Sequence, residues 1–163
     1  MKSFTDNAGN VWTLSVNVAA IKRVRALCGV DLNSIVELNE KNEPSTKLLH
    51  QLATDPVLLV DVLYAVCKPE ADAKNVSDED FGRAMAGDAI EHATNALLDE
   101  VIDFFPEAKR QAFRKILSAT RRFENVVKNR MTAILEDKDF EGKMVSEMER
   151  LTGLSTSAPE SAE

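Results

Sequence analysis

The sequence predicts a mainly α protein: a helical domain with an N-terminal β-hairpin and a long C-terminal helix. Three observations predict it. After residue 17, apolar residues recur at spacings of three and four through most of the chain. Before that, Trp12, Leu14 and Val16 alternate with Thr13 and Ser15, the period of a half-buried strand. From Glu107 to about Lys138 no Pro or Gly interrupts the chain, so one helix of about eight or nine turns fits there. The 163 residues are 44% apolar and 29% charged, which suits one domain, or one domain with an appended helix.

Residues 2–16 read as the hairpin, with Asp6, Asn7, Gly9 and Asn10 supplying turn chemistry. Asn17 is a cap for a helix whose stripe is Val18, Ile21, Val24 and Leu27, with Cys28 beside it. Lys22, Arg23 and Arg25 lie largely on its other side, and Gly29 ends it. A short helix over Leu32–Leu38, a loop over Asn39–Pro44 and a helix from Ser45 carrying Leu48, Leu49 and Leu52 follow. Asp55-Pro56 then pairs a cap with a proline in the first turn. The helix it opens, Val57–Cys67, is apolar on most sides, as expected of the most buried helix. Asp61 within it must reach the surface or find a donor. Pro69 is expected to end this helix, with Glu70–Val76 a polar connection.

The stretch Ser77–Pro106 organises the rest. Ser77 with Asp80 reads as a cap and its acidic partner. Gly87 is expected to stop one helix and Asp88 to cap the next. Ile90, Ala93, Leu97, Val101 and Phe104 make the stripe of that next helix, widened by Leu98 and Phe105. The paired phenylalanines before Pro106 are expected to anchor a corner between helices. Beyond it, Phe113, Ile116, Thr120, Phe123, Val127, Met131, Ile134 and Leu135 form a seam with one irregular step. A further helix spans Asp139–Leu151 on Phe140, Val145, Met148 and Leu151. The domain reading is residues 1–106 as hairpin plus helical core. Residues 107–151 are the long basic helix and its follower, within that domain or as a projecting arm, and 152–163 a flexible tail.

Charge is unevenly distributed about the net of −7. Residues 70–106 hold ten acids against Lys74 and Arg83, a net of −8. Between Lys109 and Arg130 eight bases face Glu124 alone. The acidic helices and the basic helix meet within one fold or between subunits. Cys28 and Cys67 sit inside helical patterns, which reads as buried free thiols and a reducing, cytoplasmic location. The longest apolar run, Val57–Cys67, is broken by Asp61 and is too short to cross a bilayer, so no membrane association is expected.

Little points to chemistry. His92 follows Asp88 by one turn, but no HExxH, no Glu-x-x-His pair and no cysteine cluster accompanies it. His50 stands alone. Asp99, Glu100 and Asp103 would supply an acid and a base, yet such runs usually form a solvated face. No phosphate loop or nucleophile elbow is present, so neither an enzyme nor a cofactor is expected. The basic helix suggests nucleic acid, but few aromatics interleave with its bases and the protein is acidic. Its bases and seam are the expected partner-binding residues: Arg110, Phe113, Arg114, Arg121, Arg122, Phe123 and Val127. The exposed edge of a two-stranded hairpin, the long seam and the divided charge together predict a homo-oligomer.

Three blocks carry a resemblance: WTLSVNVAAIKRVRALCGVDL, LATDPVLLVDVLYAVC and DEDFGRAMAGDAIEHATNALLDEVIDFFP. They resemble the tail assembly chaperones of tailed phages and prophages, over about residues 11–106. The resemblance implies a non-enzymatic protein that binds the tape-measure protein, keeps it soluble and recruits tail tube subunits, leaving before the virion is complete. A structural tail or neck protein, or a small nucleic-acid-binding regulator, are the competing readings. No catalytic, cofactor or metal residue is implied.

Overall fold

A computed structural model describes residues 1–38, 44–137 and 139–153. The fold is mainly α, with an N-terminal hairpin and a long helix towards the C-terminal end. The chain divides into two compact units, Met1–Arg114 and Lys115–Glu163.

In the first unit, β1 (Lys2–Thr5) and β2 (Val11–Leu14) pair antiparallel, with Phe4 opposite Trp12. Alternation places Phe4, Trp12 and Leu14 in the core and leaves Ser3, Val11 and Thr13 outside. Helix α1 (Val18–Cys28) starts where the Asn17 side chain accepts from the Ala20 amide, and stops at Gly29 with φ 69°. Its buried residues are Ala20, Ile21 and Val24, whereas Val18 and Leu27 are exposed. The expected stripe is thus narrower, because only the face turned to the central helix is covered.

The helix expected over Leu32–Leu38 is not formed. A 3-10 turn at Leu32–Ser34 leads into β3 (Glu37–Leu38), which pairs antiparallel with β4 (Pro44–Ser45). Strand pairing there depends on a partner later in the chain, which a local reading of residues 32–38 does not contain. Of the expected loop over Asn39–Pro44, residues 39–43 lie outside the described residues. Helix α2 (Lys47–Thr54) then buries Leu49 and Leu52.

Asp55 caps the central helix α3 (Pro56–Lys74), its carboxylate accepting from the Val57 and Leu58 amides. Leu59, Val62, Leu63, Ala65, Val66, Cys67 and Ala71 are buried on it, and Asp61 reaches the surface. Pro69 does not end α3. The helix continues to Lys74 and stops at Asn75, in the left-handed region with φ 56°. A proline lacks the N–H that would bond the carbonyl four residues back. Here the orphaned Ala65 carbonyl accepts from Arg23 Nε at 2.5 Å, and the Val66 carbonyl from the same guanidinium at 3.1 Å. An arginine on α1 therefore replaces the missing donor, and the expected connection over Glu70–Val76 is mostly helix.

Helix α4 (Asp78–Arg83) is capped by Ser77, whose hydroxyl accepts from the Asp80 amide. It delivers Phe81, fully buried, against Trp12, Tyr64 and Phe4 with ring centroids 4.9, 5.5 and 6.5 Å away. All three pairs are edge-to-face, the geometry ring quadrupoles favour. Helix α5 (Asp88–Phe104) begins at Gly87, with φ 56°. Gly87 thus precedes a helix rather than stopping one, and Asp88 is that helix's first residue, not its cap. Ala93, Leu97, Leu98, Val101 and Ile102 are buried on α5. β1 packs on α5 and β2 on α3.

Helix α6 (Glu107–Leu135) follows Pro106, and α7 (Phe140–Thr152) ends at Gly153, φ 66°. Among the described residues, none after Leu117 is buried. Among the described residues, no single helix is long and apolar enough to cross a membrane. The one pair that reaches the length, α2 with α3, is bent by 101°.

Candidate partner-binding surfaces

The first turns of α6 complete the core of the first unit. Phe113 is 9% exposed, and its ring meets Phe105 edge-to-face at 4.9 Å, beside the Phe104–Phe105 pair. Arg114 reaches Asp103 on α5 at 2.6 Å. Arg110 pairs with Glu107 on its own helix. Phe113, Arg110 and Arg114, expected to bind a partner, are therefore engaged inside the chain. Phe113 is a packing residue, and Arg110 and Arg114 spend charge on neighbouring carboxylates. Periodicity did not separate them from the rest of the seam, because a helix stripe keeps its spacing whether or not it is covered.

Farther along α6 the situation changes. Arg121 is half-buried; Arg122 is exposed, Phe123 is 70% exposed and Val127 41%. Val126, Met131, Ile134 and Leu135 are exposed as well. At about 100° per residue, Phe123, Val127 and Ile134 share one face. Arg130 lies on that face as well, so the apolar strip carries positive charge. On α7, Met144, Val145, Met148 and Leu151 are also exposed. The seam is buried at Phe113 and exposed from Phe123 to Leu135. An apolar face of this extent that carries charge is a form that partner-binding helices take.

A second surface was not legible in the sequence. Between the first turn of α3, α4 and the start of α5 lies a cleft of about 350 Å³. Pro56, Val57, Val60 and Asp61 line it from α3, Asp78 and Gly82 from α4, and Met85 and Ile90 from the chain beyond. Val57 is 70% exposed, on the side of α3 away from its buried residues. Asp61 and Asp78 are both exposed at the cleft. Partial burial, then the charges of Asp78 and Asp55, push the Asp61 carboxyl above its usual range. A cation seated there would relieve that repulsion.

The remaining charges are structural. Asp6, 5% exposed, accepts hydrogen bonds from the Ala8 and Asn10 amides, the Asn10 side chain and Trp12 Nε1, at 2.8–3.0 Å. Burial works to raise its pKa, but these donors outweigh it and lower it. Glu70 accepts from the Thr13 amide at 3.0 Å while Lys74 donates to the Val11 carbonyl at 2.7 Å. The two pair at 2.7 Å, and the Lys74 ammonium stands 4.5 Å from the centre of the Trp12 ring. The outer edge of β2, expected to be open, is thus occupied by side chains of α3. The acidic run Asp99, Glu100, Asp103 is not a solvated face either. Glu100 is 7% exposed and stands 3.2 Å from the Met1 amino group, and Asp103 is half-buried against Arg114.

Cys67 is buried and its thiol is pushed up to about 12 by burial, then by Glu70, which marks it as unreactive. Cys28 is half-buried and likewise raised, by burial first and then by Asp61 and Asp78. Among the described residues no group of three or more His, Cys, Asp or Glu side chains is arranged to hold a metal ion. Compared with family models, with curated proteins and with solved structures, the chain matches none, so the case for function rests on these surfaces.

Proposed function

We propose that this protein is a non-enzymatic tail assembly chaperone. On this reading the distal face of α6, centred on Phe123, binds the tape-measure protein and holds it soluble while tail tube subunits are recruited. The observation that supports the reading is the exposure of Phe123 within an apolar strip that also carries Arg130. A long helical client presents an amphipathic face of its own, and a second amphipathic helix covers such a face by ridge-into-groove packing. Covering one large apolar side chain is worth about 1.5–3 kcal/mol. That is a factor of ten or more in affinity for each central residue lost.

Coexpression with the tape-measure protein tests it. The wild type is expected to keep that protein in the soluble fraction and to copurify with it. Phe123→Asp is expected to lose both while its circular dichroism and melting temperature hold, since Phe123 contributes little to the core. Equal solubilisation by wild type and variant would refute the reading. Recovery of the chain in purified particles would instead favour a tail or neck component. Duplex binding with a steep salt slope would favour a nucleic-acid regulator.

A further inference from the structure

We propose that the acidic cleft between α3, α4 and α5 receives the basic apolar face of α6 from a second copy of this chain, so that copies join head to tail. The cleft has an apolar floor in Val57, Val60 and Met85 and an acidic rim in Asp61 and Asp78. Its volume of about 350 Å³ lies at the lower end of ordinary binding pockets, about 300–1,000 Å³. That suits a pair of side chains one helical turn apart better than a whole helix. Phe123 and Val127 are such a pair, and Arg130, the next turn along the same face, would lie against the rim.

Charge selects the occupant. The segment 70–106, which holds α4 and α5, carries −8, whereas residues 115–135 carry five bases against Glu124. Two α6 faces pressed together would set like charge against like, with Arg130 of each on the contact. The cleft sets opposite charges together instead. Because cleft and helix face are different surfaces, joining two copies leaves one of each unused, and the contact repeats. The client of the proposed function uses the same Phe123 face, so on any one α6 self-association and client binding exclude each other.

Sedimentation velocity on the full chain tests it. The wild type is expected to associate at micromolar concentration and to dissociate as salt screens the charges. A cleft variant, Asp61→Lys with Asp78→Lys, and a helix variant, Arg130→Glu, are each expected to associate at least tenfold more weakly. Mixed in equal amounts, they are expected to restore association, because the intact helix face of the cleft variant meets the intact cleft of the helix variant and the two reversed surfaces attract each other as well. Circular dichroism checks that both are folded. Should the first cleft variant unfold, Val57→Glu replaces it, and Phe123→Asp replaces the helix variant on the same terms.

A wild type that stays monomeric throughout, a cleft variant that assembles like the wild type, or a mixture that forms no dimer each overturns the proposal. The cleft variant retains the α6 face. If it still keeps the tape-measure protein soluble, a failure of self-association leaves the proposed function standing.

Discussion

Asp6 is a buried charge that the turn chemistry of a hairpin has turned into a support. Its two carboxylate oxygens accept four hydrogen bonds, one from the indole of Trp12 at the centre of the core. Asp6→Ala leaves that indole N–H without its partner. The expected cost is about 1–3 kcal/mol, measured by urea unfolding; an unchanged midpoint would show the network to be dispensable. The pH dependence follows in sign. The folded-state pKa of Asp6 lies below the ordinary value of 3.8. Its stabilisation is therefore complete above the unfolded pKa and is lost as pH falls through the lower folded one. Glu70 is lowered in the same direction: burial opposes its charge, but bonds from Lys74 and Thr13 prevail. Wild-type stability should decline in this acidic window, and Asp6→Asn should flatten the decline.

At the scale of elements, some of the fold was legible in the sequence and some was not, and the difference is one of range. Asn17, Asp55 and Ser77 cap helices through bonds to amides two or three residues on, so a short stretch contains the whole interaction. Pro69 misled because the group that rescues α3 lies more than forty residues earlier, on Arg23. Phe81 escaped notice as the aromatic centre because three rings from β1, β2 and α3 converge on it. The cleft was invisible for the same reason, since three elements build it. A double-mutant cycle checks the account of Pro69. Arg23→Met is expected to cost about 1–3 kcal/mol by leaving two carbonyls short of donors. In a Pro69→Ala background, where the helix supplies its own amide to Ala65, the cost should be smaller. Equal costs in both backgrounds would mean that Arg23 acts through something other than those carbonyls.

For the whole molecule, burial ends before the chain does. Buried residues run from Phe4 to Leu117, and the described residues beyond that are half-buried or exposed. A chain ended at Thr120 is accordingly expected to keep its melting temperature within a few degrees while losing partner binding and self-association. A collapse of the melt would place part of the second unit in the core of the first. The bridge from Arg23 to the Ala65 and Val66 carbonyls also carries a consequence for synthesis. α1 leaves the ribosome before the stretch around Pro69 is made, so the donor is present when the proline emerges. A circular permutant beginning at Lys47, in which α1 is translated last, would leave the nascent α3 with a broken ladder until the chain is complete. Its apolar faces would be open to aggregation during that delay, even though the finished fold is the same.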